Sequence, residues 1–168
     1  MTIQRELAPD LDAMRAALAQ GAATEGDLVA LFERASDAHA ALMAGEVARY
    51  FEMVAPAPHL TLMTPMGGFA RRGEVSPEEV ADMERFFRGG TGTAELVGAH
   101  ASGDLAVLAM IERARARIGD LPEQDWALRV TLAFRREGGS WRLVHRHADP
   151  LVGRITVERS AELARMEA

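Results

Sequence analysis

Residues 126–147 read WALRVTLAFRREGGSWRLVHRH and decide the fold. Two runs rich in β-branched, aromatic and other apolar residues, 126–136 and 140–148, flank the triplet Glu137-Gly138-Gly139. Glycine readily adopts the left-handed backbone conformation that a tight hairpin turn requires. The stretch therefore predicts two long antiparallel strands joined by a short turn.

The same pattern occurs immediately upstream. Residues 93–101 and 105–118 have strand composition and are separated by Ser102-Gly103-Asp104, which is typical of a turn. Two hairpins in succession predict a four-stranded antiparallel meander. This meander occupies most of the second half of the chain.

The first half reads as helices interrupted by one short strand. Apolar residues recur there at intervals of three and four, and proline or a Ser/Thr-x-x-acid capping box precedes several of the runs. The predicted elements are helices beginning at Pro9, Thr24, Glu46 and Ser76 and a strand over His59–Thr64.

The order of elements predicts one α+β domain over residues 1–168, because no linker or repeat interrupts it. Its core is expected at about residues 25–150. The remaining residues, 151–168, form a tail with a weakly amphipathic helical pattern.

Composition excludes several classes of chemistry. There is no cysteine, so disulfides, thiolate metal sites and cysteine nucleophiles are absent. All 19 basic residues are arginine, so no lysine can form a Schiff base. The net charge of −6 is unfavourable for a nucleic-acid partner.

No apolar run approaches the roughly 20 residues of a membrane span, and the first residues lack a signal-peptide pattern, so we expect a cytoplasmic protein without a membrane partner.

The turn at residues 138–139 predicts the pairing of the last hairpin. If these glycines are its two turn residues, each strand alternates between two faces of the sheet, and a slip by one residue would exchange the faces of one strand. One face then pairs Phe134 with Leu143, Leu132 with His145 and Val130 with His147. The other pairs Ala133 with Val144, Thr131 with Arg146 and Arg129 with Ala148.

Both faces of the predicted sheet carry apolar residues, so both need cover. The N-terminal helices can cover one face. A second copy of the same sheet is the simplest cover for the other, and we therefore expect a homodimer formed through the sheet face.

The element order and the residues 126–147 resemble the nuclear-transport-factor-like and ketosteroid-isomerase-like superfamily, in particular its SnoaL-like branch. The ending W-x-x-V-H-x-H at 141–147 is also similar to that of the association domain of calmodulin-dependent kinases. The resemblance implies a cone-shaped, strongly curved antiparallel sheet wrapped around N-terminal helices, a cystatin-like α+β barrel with a cavity. Members use this cavity for isomerisation, cyclisation, epoxide hydrolysis or dehydration, or assemble without chemistry.

The functional residues of known members carry over only in part. An isomerase-like site has an aspartate at the start of the first strand, where this chain has His59-Leu60-Thr61. Tyr50 is the only tyrosine available for an oxyanion hole, and no acid matches the second donor. Ala148 stands where the kinase association domain has an arginine.

His145 and His147, two residues apart on one strand, share a face and are candidate acid–base groups together with Tyr50. Packing at an interface between subunits is the alternative for the two histidines. A metal site is not predicted, because zinc needs three or four protein ligands. The sequence places none of the other histidines, His39, His59 and His100, near them.

Arg129 and Arg146 lie on the opposite face in the predicted register, where two guanidinium groups would suit a carboxylate-bearing ligand. A solvated or interface edge is the alternative. Tyr50, Phe51 and Trp126 are expected to line an aromatic cavity that binds a small apolar or carboxylate-bearing molecule.

Two functions follow from these features. One is a cofactor-independent isomerase, cyclase or hydratase acting on a hydrophobic carbonyl or acid substrate. The other is a non-catalytic homodimerisation or ligand-sensing module. No phosphate-binding loop or dinucleotide fingerprint occurs, so no cofactor is expected. The enzyme and the non-catalytic module are distinguished by which face of the last hairpin lines the cavity.

Overall fold

The computed structural model describes residues 23–165. The helix predicted from Pro9 lies outside these residues. The elements, in chain order, are α1 (Glu25–Ala44), α2 (Val47–Val54), β1 (Pro56–Met63), β2 (Arg71–Arg72), α3 (Pro77–Phe86), β3 (Phe87–Ser102), β4 (Leu105–Ile118), β5 (Gln124–Glu137), β6 (Ser140–Pro150) and α4 (Val157–Leu163).

Helix α1 begins at the predicted capping box. The Asp27 amide donates to the Thr24 hydroxyl at 3.1 Å, and the Thr24 amide donates to the Asp27 carboxylate at 2.8 Å. The helix ends at Gly45, whose φ of 87° lies in the left-handed region that favours glycine. Its buried stripe packs against β3 and β4 and consists of Leu28, Leu31, Ala35, Ala38, His39, Ala41, Leu42 and Met43.

Helix α3 also begins at its predicted box, formed by Ser76 and Glu79. It ends at Phe86 rather than at the predicted Gly89-Gly90. The reason is that Phe87 has an extended backbone and already pairs with Ile118 of β4. Within residues 23–165, no helix is both long and apolar enough to cross a bilayer.

The six strands form one sheet in the order β2-β1-β6-β5-β4-β3. The predicted meander from β3 to β6 is confirmed, and every step in it is antiparallel. Strand β1 joins β6 in parallel, which the sequence did not indicate. The α+β class is confirmed. Helices α1 and α2 lie against one face of the sheet, which we call the inner face, and the opposite face is the outer face.

The last hairpin follows the predicted register only near its turn. Gly138 and Gly139, with φ of 57° and 82°, form the turn, and Phe134 pairs with Leu143 as predicted. The register then shifts by one residue, which leaves Val144 unpaired as a β-bulge.

Beyond the bulge the predicted pairs are wrong, because the extra residue exchanges the faces of β6. Arg146 therefore joins the inner face with Phe134 and Leu143, whereas His145 and His147 lie on the outer face. The observed partners are Ala133 with His145, Leu132 with Arg146, Thr131 with His147, Val130 with Ala148 and Arg129 with Asp149.

The fold predicts that two phenylalanines differ strongly in their contribution to the free energy of unfolding. Phe134 is 0% exposed in the core, whereas Phe69 is 89% exposed in the loop after β1. Replacing Phe134 by alanine should lower the free energy of unfolding by about 3–5 kcal/mol, because it leaves a cavity. The matched change Phe69→Ala should alter it by less than about 0.5 kcal/mol. Urea unfolding measures both, and equal effects would contradict this placement of the core.

Candidate functional site

A cavity of about 750 Å³ lies between the helices and the inner face of the sheet. This volume is in the range of about 300–1,000 Å³ that is usual for small-molecule sites. Much of its wall is apolar and includes Leu42, Phe51, Leu60, Met83, Trp126 and Leu128.

A buried ion pair faces this cavity. Arg146 of β6 donates from Nη1 to Oε1 of Glu112 at 3.0 Å and from Nη2 to Oε2 at 2.8 Å. The side chains of Glu112 and Arg146 are 5% and 13% exposed. Such a two-pronged guanidinium–carboxylate contact is the strongest geometry of this kind. Glu112 occupies an inward position on β4, and the bulge at Val144 turns Arg146 towards it.

The pair keeps both partners charged. Burial alone would raise the pKa of Glu112, but the charge of Arg146 and its two hydrogen bonds outweigh burial and lower the pKa. Burial alone would lower the pKa of Arg146, and the negative charge of Glu112 raises it instead. Glu112 is therefore an ionised carboxylate that is weakly basic.

His39 adds a third group to this pair. It lies on the buried stripe of α1, and its Nε2 is 2.9 Å from the carbonyl oxygen of Arg113. Its Nδ1 is 3.4 Å from Oε2 of Glu112. Gly92 of β3 provides the room, because a Cβ there would come within 2.8 Å of the imidazole. We call His39, Glu112 and Arg146 the ion cluster.

Tyr50 of α2 lines the same cavity and is 9% exposed. Its ring packs edge-on against Phe51 at 5.0 Å. Burial raises the pKa of its phenol, Arg146 lowers it and Glu112 raises it, with a net upward shift. The hydroxyl makes no hydrogen bond within residues 23–165, but it is not fully buried, because Arg34 Nε is the one buried side-chain N or O atom without a partner among these residues. The hydroxyl is thus a neutral donor that is free to bind a ligand.

Trp126 of β5 also lines the cavity, and its Nε1 donates to the Ala116 carbonyl at 3.3 Å. Four of the predicted site residues therefore come together at the cavity, namely Tyr50, Phe51, Trp126 and Arg146.

The other three predicted site residues lie on the outer face of the sheet. Arg129 makes a two-pronged ion pair with Asp149, at 2.9 and 2.7 Å. The ring of His145 is 2.7 Å from the Thr61 hydroxyl, and burial together with the charge of His147 lowers its pKa. His147 and Arg129 border a separate outer groove of about 360 Å³. The catalytic role of His145 and His147 stays a prediction. Neither histidine lines the cavity.

The remaining carboxylates that line the cavity are partly or fully exposed. Each contacts an arginine: Glu79 binds Arg71, Asp82 binds Arg85 and Asp120 binds Arg88. Within residues 23–165, no group of three His, Asp or Glu side chains is close enough to hold a metal ion.

Sequence reasoning missed His39 and Glu112, although each carries a local signal. His39 is a polar residue on the apolar stripe of α1, four residues after Ala35 and three before Leu42. Glu112 is the acid in an otherwise apolar alternation of inward positions on β4. A polar residue that breaks a buried pattern is a candidate for a functional site.

Breaking the buried pair should be costly. Arg146→Met leaves Glu112 buried without its partner and should destabilise the protein by about 3–5 kcal/mol. The matched change on the outer face, Arg129→Met, removes an exposed ion pair and should cost less than about 1 kcal/mol. Urea unfolding at neutral pH compares the two. If Arg146→Met costs no more than Arg129→Met, Glu112 is not held by Arg146 as described.

Comparisons with known proteins agree with this architecture. A candidate calmodulin-dependent kinase II association domain from Xanthomonas campestris is 19% identical, with a TM-score of 0.55 over 77% of this chain and 90% of that chain. A candidate ketosteroid isomerase from Shewanella frigidimarina is 22% identical, with a TM-score of 0.55 over 71% and 94%. A cystatin-like protein of unknown function from Nostoc punctiforme is 21% identical, with a TM-score of 0.56 over 76% and 92%.

At these identities the structural matches show the fold alone, and they confirm the cystatin-like architecture. No curated protein sequence matches the chain at a significant level. Residues 30–152 match the model of the SnoaL-like domain, which confirms the resemblance found in residues 126–147. This match covers most of the chain, and the protein therefore belongs to the family of SnoaL-like domains.

Proposed function

We propose that the protein is a ligand-binding domain that holds a small, mainly apolar molecule bearing an oxygen group inside its cavity. The observation that carries this proposal is the combination of a mostly apolar cavity of about 750 Å³ with a free phenol, Tyr50, and a charged cluster at its wall. Few polar groups in a concave apolar site are the usual arrangement of small-molecule sites, where they orient the ligand.

The apolar wall supplies the affinity. Leu42, Leu60 and Leu128, with the aromatic rings of Phe51 and Trp126, offer surface that a ligand can remove from water. Such burial stabilises a complex by about 25 cal/mol for each Å² of apolar surface. The hydroxyl of Tyr50 then donates a hydrogen bond to the oxygen of the ligand.

Binding is favoured over proton-transfer catalysis, because every carboxylate of the cavity within residues 23–165 is held by an arginine. Glu112, the deepest of them, uses both oxygens for Arg146, and its pKa is lowered. A general base needs a pKa near the working pH, and the pKa of Glu112 is shifted in the opposite direction. In an isomerase, cyclase or hydratase reaction in this cavity, Tyr50 could therefore act as the acid, but none of these carboxylates would be available as the base.

The ligand proposal predicts a thermal shift. Hydrophobic carboxylates and polycyclic ketones at 100 times their Kd should stabilise the protein by about 2.7 kcal/mol, since binding adds RT ln(1 + [L]/Kd). For a chain of this size that corresponds to a rise in Tm of about 5–10 °C. Differential scanning fluorimetry measures it.

A cavity-blocking variant locates the binding. Ala114 lines the cavity, so Ala114→Trp should abolish the shift. Ala48 is exposed on α2, and Ala48→Trp should preserve the shift. The proposal fails if neither ligand class raises Tm, or if Ala114→Trp binds as well as the wild type.

We propose in addition that a second copy covers the outer face of the sheet. That face carries half-buried side chains around a shallow groove that includes Val97, Ala109, Ile111 and Thr131. Symmetric pairing of two such faces would remove the apolar side chains of Val97, Ala109 and Ile111 from water, and a two-fold dimer is the commonest form of assembly.

The dimer can be measured directly. Multi-angle light scattering at micromolar concentration should give about twice the chain mass of 18.2 kDa. Ala109→Arg places a charge in the middle of the face and should yield the monomer, because an unpaired charge is costly to bury. Ala48→Arg is the matched control and should remain dimeric. A wild-type mass of 18.2 kDa would exclude the dimer.

A further inference from the structure

We infer that the ligand is a long amphiphile that lies head first in the cavity, with an oxygen-bearing head group beside Tyr50 and a flexible apolar chain that runs out to the mouth. The inference rests on the proposed function, because it concerns the same cavity, and it adds the shape of the molecule and the direction in which it lies. It follows from the way polarity and exposure are distributed among the lining residues.

The polar groups that can bind a head group belong to buried lining residues. Glu112 and Tyr50 are 4% and 9% exposed, and the side chain of Arg146 is 13% exposed. Burial raises the pKa of the Tyr50 phenol, the charge of Arg146 lowers it and that of Glu112 raises it, so the three groups lie close together. The hydroxyl of Tyr50 is the donor among them that makes no hydrogen bond within residues 23–165.

The exposed lining residues include four large apolar side chains. They belong to the end of β1 and the loop after it, to the last residue of α3 and to the loop between β4 and β5. We call them the apolar rim, and with their exposed fractions they are Met66 (70%), Leu121 (51%), Met63 (41%) and Phe86 (36%).

The cavity thus has a polar interior and an apolar mouth, which is the reverse of the usual distribution of polar and apolar side chains in a folded protein. A molecule of matching polarity would correct both departures, because its head would accept the hydrogen bond of Tyr50 and its chain would remove the apolar rim from water. In the reverse orientation the chain would lie against the hydroxyl of Tyr50 without giving it an acceptor.

Charged side chains border the apolar rim without covering it. Asp82 lies one turn before Phe86 on α3, and Asp120 directly precedes Leu121. Each of these carboxylates contacts an arginine. An exposed apolar patch with a polar border is typical of binding grooves.

The distance between the buried polar groups and the far side of the rim requires a long ligand. Glu112 and Ile118 both line the cavity from β4 and are six residues apart. A strand rises about 3.3 Å per residue, so the cavity extends for about 20 Å along β4. Leu121 lies at this far end, where its amide donates to the Ile118 carbonyl at 3.2 Å. A molecule bound at Tyr50 must therefore span about 20 Å to cover Leu121.

The side chains of the cavity suit a flexible chain. Methionine is unbranched and adapts its shape to the group that it packs against. Four of the lining residues are methionines, namely Met43, Met63, Met66 and Met83. Met66 is followed by Gly67 and Gly68, where a Cβ would meet no other part of the protein within 4 Å. This part of the apolar rim therefore has room to follow the chain of the ligand.

The test uses two neutral probes with the same head group, octan-1-ol and dodecan-1-ol. Their binding is titrated through the fluorescence of Trp126, which lines the cavity. Each CH2 group removed from water should lower the Kd about three- to fourfold. We therefore expect the wild type to bind dodecan-1-ol about a hundredfold more tightly than octan-1-ol.

Two variants locate the two ends of the molecule. Tyr50→Phe removes only the hydroxyl and should raise the Kd of both alcohols about fivefold, which corresponds to one lost hydrogen bond. Leu121→Ser makes the far side of the rim polar. It should raise the Kd of dodecan-1-ol about fourfold and that of octan-1-ol less than about twofold, because the shorter chain ends inside the cavity.

Leu163→Ser is the matched control for the rim. It makes the same chemical change at a residue of α4 that is 64% exposed and does not line the cavity, so it should change neither Kd. Leu121 and Leu163 are both exposed, so neither substitution removes a core contact.

The outcomes separate this inference from the proposed function. Head-first binding of a long chain is overturned if dodecan-1-ol binds no more tightly than octan-1-ol, or if Tyr50→Phe leaves both Kd values unchanged. It is also overturned if Leu121→Ser weakens both alcohols equally or neither of them. In these cases saturable binding that Ala114→Trp abolishes would still support the ligand-binding cavity. If no alcohol, carboxylate or ketone binds, or if Ala114→Trp binds them unchanged, the proposed function fails and this inference fails with it.

Discussion

The ion pair between Glu112 and Arg146 is the interaction on which the arrangement of the inner side depends. The two residues stand on β4 and β6, with β5 between them. Two strand spacings are about 10 Å, so the side chains can meet only by reaching over β5 on the inner face. His39 joins them from α1. One buried carboxylate therefore links the helix layer to two non-adjacent strands.

A single residue decides whether that pair can form. Val144 is the bulged residue of β6, and without it Arg146 would point to the outer face while His145 and His147 would point inward. The cavity would then be lined by two histidines that could both act as acid–base groups. The bulge replaces them by one arginine, which is permanently charged and cannot accept a proton. The inner face therefore lacks the two histidines that the predicted register would have placed there.

The elements that depend on local chemistry could be predicted from the sequence. Both capping boxes, at Thr24 and Ser76, and the glycine turn at residues 138–139 lie where predicted, because each needs only neighbouring residues. The pairing of Phe134 with Leu143, close to that turn, could be predicted for the same reason. The SnoaL-like family could be recognised from the same hairpin.

The features that depend on contacts between distant residues could not be predicted from the sequence. The bulge leaves no mark in the sequence, because Val144 is an ordinary strand residue and its effect appears only in the pairing with β5. The parallel pairing of β1 with β6 joins segments about 80 residues apart, for which alternation along one strand holds no information. Tyr50, Phe51 and Trp126 were predicted as lining because aromatic residues of the core need no register.

The ion cluster also explains why a cavity of this size is compatible with a stable fold. An apolar pocket gains from collapse, since collapse restores packing contacts that a void forfeits. Closing this one would press apolar side chains such as Leu42 and Leu128 onto the N–H groups of Arg146 that Glu112 does not bind, and onto the hydroxyl of Tyr50. That would strip these groups of water without giving them partners, at a cost of about 1–3 kcal/mol for each. The cluster therefore opposes collapse, and a ligand that brings its own acceptor oxygens can fill the space without this cost.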